Sequence, residues 1–430
     1  MAVVWGRHEG TRLVMGEFLP QRGRRPDLIA RYAAVRALTE RLVQPLTGED
    51  QCVQSMPDAS PAKWHLAHTT WFFERLVLSQ SPGYEVFDRR FDAIFNSYYL
   101  GLGTPFTRAQ RGLLTRPGAD EVLAYRRYVD MDMEKLLIEA DDDLRRLVEL
   151  GLNHEQQHQE LILTDIKHAF FQNPLLPAYR KAPLSTVNAA PALEWIGHPG
   201  GEAEIGHAGG AFAFDNECPR HRVLLAPFRL ASRPATCGEY LQFMEDGGYD
   251  RPEFWLSDGW ALAQRDGWRA PLYWLAGNRE IFTLQGVRPI DPAEPVAHVS
   301  FYEAAAFAAW SGKRLPTEFE WEAMAARVPL SGNLLDTDVL HPAAATPGEG
   351  LRQMYGDVWE WTRSSYDPYP GFRPFDGTLA EYNGKFMVGQ LVLRGGSCAT
   401  PAGHVRPSYR NFFPPAARWQ FSGIRLAEDT

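Results

Sequence analysis

The sequence predicts an α+β protein in two parts: a four-helix bundle, then a loop-rich α+β domain. Three observations carry this. The chain has 430 residues, too many for one ordinary hydrophobic core, so two domains are expected. Through about residue 172, apolar residues recur at three- and four-residue spacings, the period of a helix. Beyond about Leu193 the long periods stop and Gly and Pro become frequent. Ten of the 13 tryptophans lie there, which marks a change of architecture rather than a continuation.

In chain order, residues 1–26 read as an N-terminal extension. Charges interrupt every apolar run in it, so it is not a secretory signal. The bundle is expected over 27–172. "RPDLIARYAAVRALTERLVQPL" has helical spacing, and "SPAKWHLAHTTWFFERLVLS" opens on Ser60 and Pro61, a helix-start signal. The stretch from "GADEVLAYRRYV" to "IKHAFFQ" predicts two long helices that meet near Gly151. Four helices with one long crossing connection make a bundle. "NPLLPAYRKAPLSTVNAAPAL", residues 173–192, has no period and reads as a linker. In 193–430, "HRVLLAPFRLA" and "FMVGQLVLRGGS" read as strands. "SFYEAAAFAAWSGK" reads as a helix, followed by "RLPTEFEWEAMAA". Loops on such a frame are where binding residues tend to sit.

The composition is that of a soluble globular protein, 45% hydrophobic and 23% charged. A net charge of −9 argues against nucleic acid or an anionic membrane as partner. No run approaches the ~18 apolar residues of a membrane span. The four cysteines, Cys52, Cys218, Cys237 and Cys398, form no CxxC pair. That suits a reducing cytoplasm and argues against a Cys-based zinc site.

"LNHEQQHQELIL" raises the chemical question. On a helix, His154 and His158 are about 40° apart, so they share a face and can converge on one ion. Glu160 is about 200° from His158 and Glu155 about 100° from His154, so neither is a good third ligand. "WHLAHTTWFFE" offers His65 and His68 on one face of another helix. Bundle cores host metal sites built from facing helices, and three histidines with open positions suit catalysis. A solvated polar face remains the competing reading, and three imidazoles suit Zn(II), Fe(II) or Ni(II) alike.

The segments "PGGEAEIGHAGGAFAFDNECPRHRVLLAPFRLA", "PVAHVSFYEAAAFAAWSGKRLPTEFEWEAMA", "MYGDVWEWT" and "LRGGSCATPAGHVRPSYRNFFPPAARWQFSGIRLA" resemble the formylglycine-generating-enzyme/sulfatase-modifying fold, a C-type-lectin-like α+β domain. The N-terminal half, with "LAH" and "HEQQHQE", resembles a DinB-like four-helix bundle. The pairing resembles the ergothioneine-biosynthesis sulfoxide synthases, the EgtB family, over nearly the whole chain from about Asp27. The resemblance implies a non-haem Fe(II) enzyme with O2 as co-substrate. Such an enzyme joins a thiol sulfur to C2 of the hercynine imidazole and oxidises that sulfur. It implies His68, His154 and His158 as iron ligands, with His65 outside the ligand set.

It also implies substrate contacts. Gln157 and Asn411 match positions that hold hercynine's polar groups. Phe412 matches an aromatic position beside the trimethylammonium, where cation–π attraction is expected, and Phe413 beside it is a further candidate substrate contact. Arg108 and Arg111 match an Arg-x-x-Arg pair for the thiol substrate's carboxylates. Phe413 stands where the γ-glutamylcysteine-using branch has an Asp. Tyr98 and Tyr99 resemble the tyrosine pair of the branch that uses free cysteine, where a phenol can give a proton or hydrogen atom. Tyr369 lies near the tyrosine position of the other branch without being assigned its role. The expected substrates are therefore hercynine, cysteine and O2, with γ-glutamylcysteine as thiol and histidine as acceptor the alternatives. A formylglycine-generating oxidase would need a cysteine pair after "RGGS", where only Cys398 is found. A 5-histidylcysteine sulfoxide synthase commonly carries a further methyltransferase domain, which is not expected here. A non-catalytic binding module is the reading from another class.

Overall fold

The helical half begins with α1 (Leu28–Val43) and α2 (Ala62–Phe72), the latter running on through a π-turn over Phe73–Val77. The computed structural model describes residues 28–182, 189–275 and 277–430, without the side chain of Thr378. The N-terminal extension and part of the linker lie outside the described residues. Pro61 stands at the N-cap of α2, where its missing N–H is no loss. A long connection follows, with a short α3 (Phe91–Phe95) and a 3-10 turn over Arg108–Leu113. It leads to α4 (Ala119–Ile138) and α5 (Asp142–Gln172). In the bundle, α5 packs on α1 and α2, and α2 also packs on α4.

The junction between the last two helices differs from the sequence expectation. It lies at Glu139–Asp141, and Gly151 is inside α5. The Asp141 carboxylate accepts the N–H of Leu144 at 2.8 Å and caps α5, whose first turn carries Asp142 and Asp143. Gly151 answers a packing need instead. A Cβ there would lie 2.6 Å from Phe73 Cε1 and 2.8 Å from Phe72 Cε1, so only glycine lets α2 approach so closely.

The second half starts with β1 (Trp195–His198), β2 (Gly201–Ile205), β3 (His221–Leu225) and β4 (Phe228–Ala231). Then come α6 (Cys237–Glu245), α7 (Ser257–Arg265), and the hairpin of β5 (Glu280–Thr283) with β6 (Gly286–Pro289). The two predicted helical stretches form α8 (Phe301–Trp310) and α9 (Glu318–Ala325). Each opens on a capping box, Ser300 with Glu303 and Thr317 with Glu320. The chain ends with β7 (Trp359–Ser365), β8 (Leu391–Arg394), β9 (Asn411–Phe413), β10 (Ser422–Gly423) and β11 (Ala427–Asp429). One sheet has the order β1-β4-β11, the other β10-β7-β8-β9, and β2-β3 is a separate hairpin.

The two halves are not independent bodies. One apolar cluster runs from Tyr32 and Phe73 of the bundle through Phe170 and Tyr273 to Phe421 and Leu426. Glu160 of α5 crosses this boundary. It accepts from Trp359 Nε1 at 2.8 Å, Ser397 Oγ at 2.6 Å and Thr400 Oγ1 at 2.7 Å. The residue that helix geometry excluded as a ligand thus joins the halves. Tyr179, from the expected linker, donates to Leu42 O at 2.6 Å.

Candidate metal centre

His68 on α2 and His154 and His158 on α5 bring three imidazoles together, with one candidate ligand nitrogen from each lying within 4.8 Å of the others. The Nε2 of His154 is 3.2 Å from that of His68 and 3.1 Å from that of His158. Hydrogen bonds fix what those nitrogens carry. His68 Nδ1 donates to Phe95 O at 2.6 Å, so its Nε2 holds a lone pair. His65 Nε2 donates to Asp165 Oδ2 at 3.1 Å, which makes His65 Nδ1 an acceptor. His158 Nδ1 donates to it at 2.8 Å, and its Nε2 too holds a lone pair.

The lone pairs of His68 and His158 both face His154 Nε2, which as an N–H could satisfy only one of them and as a third lone pair would call for a cation among the three. Two nitrogens each ~2.1 Å from one ion and ~90° apart would stand about 3.0 Å from each other, close to the observed spacing. Three neutral donors on one side of an ion leave its remaining positions open, so the cluster can hold a divalent metal. Burial keeps the rings neutral. His68, His154 and His158 are 0%, 1% and 9% exposed. Burial pushes His68 and His158 well below the usual imidazole range, and the neighbouring His154 adds to the effect on both. His154 is pushed down to about 3, again mainly by burial.

The surroundings are aromatic. Trp64 stacks on His68 with ring centres 4.6 Å apart, and Phe72 lies 4.9 Å from His154. Tyr382, from the second half, presents its ring edge 5.8 Å from His154. Gln157 faces the second half. It donates to Tyr409 OH at 2.9 Å and accepts from Tyr382 OH at 2.5 Å. Glu155 turns the other way, towards Arg36, Arg126 and Thr39.

The remaining expected residues are placed as follows. Tyr98 and Tyr99 sit 4.7 Å apart on the long bundle connection, with Tyr98 6.3 Å from Tyr382 and Tyr99 5.9 Å from Trp71. Burial holds both phenols protonated, well above their ordinary range. Arg111 is buried, its guanidinium carbon 3.4 Å over the Trp64 ring. It donates to the hydroxyls of Ser60 at 3.0 Å and Ser97 at 3.2 Å rather than to a carboxylate. Burial, then Arg108, push it down to about 9, so an anion arriving there would relieve a desolvated charge. Arg108 is exposed and donates to Asp58 O. Phe412 stacks on Tyr366 at 3.9 Å and lies 6.1 Å from Phe386, which in turn meets Tyr98 at 5.6 Å. Asn411 Oδ1 accepts its neighbour's N–H, from Phe412, at 2.9 Å.

Successive side chains of β9 point to opposite faces, so Phe412 and Phe413 do not line one pocket. Phe413 packs edge-on against Trp419 at 5.6 Å, away from the Tyr98 cluster. Tyr369 is also elsewhere, donating to Glu318 at 3.1 Å beside Arg394 in the core of the second half.

Residues 31–162 match the DinB superfamily, and residues 181–347 and 342–430 match the sulfatase-modifying factor enzyme 1-like domain. The chain is 34% identical over 428 residues to a Mycobacterium tuberculosis protein named hercynine oxygenase, covering 94% of this chain and 99% of that one. The protein of that name from Mycolicibacterium smegmatis is 35% identical over 442 residues, with 94% and 99% covered. The chain belongs to the hercynine oxygenase family. Ergothioneine biosynthesis protein 1 of Schizosaccharomyces pombe is 30% identical over 231 residues, 51% of this chain and 28% of that one.

For a hercynine oxygenase relative, the residues that sequence reasoning passed over are Tyr382, Tyr409 and His404. Tyr409 donates to His404 Nε2 at 3.0 Å, and His404 Nδ1 lies 3.3 Å from Asn153 Oδ1, so the chain of contacts from Gln157 ends back on α5. Nothing in the spacing of "EYNGKF" or "RPSYRN" marks these tyrosines. Asp165 has a signal: it stands seven residues after His158, two turns along the same helix face. Asp165→Asn is expected to weaken metal binding about 10–100-fold, because His65 no longer holds His158 in one tautomer. Competition with a chelator measures this, and an unchanged metal affinity would refute the role.

Proposed function

We propose that this chain is an Fe(II)- and O2-dependent sulfoxide synthase that joins cysteine to C2 of hercynine. The observation that carries the reading is the buried set of three neutral imidazoles, in a chain matched over 94% of its length by hercynine oxygenases. The reaction balances as hercynine plus cysteine plus O2 giving the sulfoxide and water. One oxygen atom goes to sulfur, and the other leaves with the C2 and thiol hydrogens.

His68, His154 and His158 hold the metal. The chemistry that Fe(II) supplies when bound is electron transfer with O2 and conversion of the thiol to a thiolate. Gln157 and Asn411 hold hercynine's polar groups, with Phe412 beside its ammonium end. Arg111, aided by Arg108, takes the thiol substrate's carboxylate, which supplies the counter-charge its buried guanidinium lacks. Tyr98 and Tyr99 supply a phenol that gives a proton or hydrogen atom during the reaction. The aromatic walls of Trp64, Trp71, Phe72 and Tyr382 keep water out, which strengthens every charge interaction inside.

Division into a bundle domain over 27–172 and a second domain over 193–430, and a cytoplasmic setting, belong to the same proposal. The unpaired state of the four cysteines supports the latter. Among the described residues no helix is long and apolar enough to cross a membrane. Cys398 is fully buried and its thiol is pushed well up by burial, which disfavours a formylglycine-type oxidase built on it.

Oxygen uptake and product mass test the reading, with hercynine or histidine as acceptor and cysteine or γ-glutamylcysteine as thiol. Hercynine with cysteine is expected to give the sulfoxide. Product from γ-glutamylcysteine alone would overturn the choice of thiol, and product from histidine alone the choice of acceptor.

A further inference from the structure

The second half pairs its buried carboxylates with cations as a rule. Glu217 meets Arg406, Glu318 meets Arg394 and Arg410, Glu360 meets Arg425, and Glu303 meets Arg418. Asp215, two residues from Glu217, forms no such pair among the described residues. It is 4% exposed. Its Oδ1 accepts from Asn383 Nδ2 at 2.6 Å and Asn216 N at 2.8 Å, while Oδ2 accepts the Phe375 N–H at the longer distance of 3.3 Å. Two other buried carboxylates that lack an Arg or Lys partner among the described residues are fully engaged. Glu160 takes three side-chain donors, and Asp357 takes Asn333, Gln353 and the Ala343 N–H.

What surrounds Asp215 is the aromatic wall of the candidate site. Its neighbour Phe214 stacks on Tyr382 at 5.4 Å, and Tyr382 faces His154. Its other neighbour, Asn216, donates at 2.9 Å to Tyr366 OH, and the Tyr366 ring lies against Phe412. The carboxylate's charge is felt at the phenols of Tyr98, Tyr366 and Tyr382 alike. The nearby ammonium of Lys385 is committed to Glu381 and Tyr98 O at 2.8 and 2.6 Å. A dry carboxylate with a spare acceptor, rimmed by aromatic rings, is chemically suited to an organic cation. The bundle offers the complement, since Arg111 is a dry cation with no carboxylate paired to it among the described residues. A zwitterion would satisfy one charge from each half of the chain.

We propose that Asp215 is the specificity-determining carboxylate for the ammonium group of a substrate zwitterion. This rests on the hercynine and cysteine reading above. Burial raises the carboxyl's pKa, as expected of an anion still lacking its counter-charge.

The test uses the full Fe(II)-loaded chain and its Asp215→Asn variant. KM is measured for hercynine and for cysteine. Inhibition constants are measured for imidazole-4-propionate and 3-mercaptopropionate, which lack the ammonium group. The variant is expected to raise KM about 10-fold or more for one substrate while its ammonium-free analogue binds unchanged. A shift confined to hercynine assigns the quaternary ammonium, and one confined to cysteine assigns the primary amine. Asp215→Glu, which keeps the charge, is expected to recover most of the loss and guards against misfolding of the amide variant. Unchanged KM for both substrates, or equal weakening of substrate and analogue, would overturn the proposal. Failure of the wild-type chain to turn over either substrate would instead overturn the reading beneath it.

Discussion

His158→Ala is expected to empty the metal centre, lowering Fe(II) affinity by well over about 100-fold and turnover with it. Loss of an outer partner of a ligand already costs about 10–100-fold, and here the ligand itself is removed. The chain should stay folded. Without a metal, the lone pairs of His68 and His158 both face His154 Nε2, which can satisfy only one of them, an arrangement that adds little to apo stability. Metal-dependent stabilisation should therefore disappear while the metal-free melting temperature holds, because only a ligand that binds the native state raises it. Iron content after desalting and melting curves with and without Fe(II) check this. A variant that retained both iron and turnover would sink the ligand assignment.

Glu155→Gln is expected to destabilise the fold by about 3–5 kcal/mol, the usual consequence of breaking a buried ion pair from one side. Glu155 is fully buried beside His154 in sequence, yet it serves the bundle. Arg36 Nη1 donates to it at 2.8 Å, Thr39 Oγ1 at 2.6 Å, and Arg126 completes the set. The amide keeps the shape but turns a donor towards a guanidinium. Burial would raise the carboxyl's pKa, but Arg126 and Arg36 outweigh it and hold the group at about 2. A depressed pKa stabilises the native state above the unfolded value of about 4.3, and the contribution fades as pH falls towards 2. The gap between wild type and variant in urea unfolding should thus be full at pH 7 and shrink below about pH 4. A loss under about 1 kcal/mol at pH 7 would show that the pair adds little.

These two residues show what was legible in the sequence. Helix geometry put His154 and His158 on one face and Glu155 and Glu160 elsewhere, and the structure has them so. Such relations follow from backbone hydrogen bonding within a few residues, which fixes the period of the helix whatever surrounds it. The Ser60–Pro61 signal likewise marked the start of α2. The same local rules misplaced a junction at Gly151, because the demand for glycine there comes from Phe72 and Phe73 on another helix.

The sequence by itself thus determined the two-part α+β architecture, the histidine pair and the polar face that leaves Glu160 out. Only tertiary structure decided what fills the other sides of the site. Tyr382 and Tyr409 reach Gln157 across 225 and 252 residues of chain, and Phe412 and Phe413 part company on opposite faces of one strand. Asp215 stands beside this aromatic wall, through Phe214 and Asn216, only because of how the loops of the second half pack. Contacts at such separations depend on how whole elements pack, and no local period encodes that.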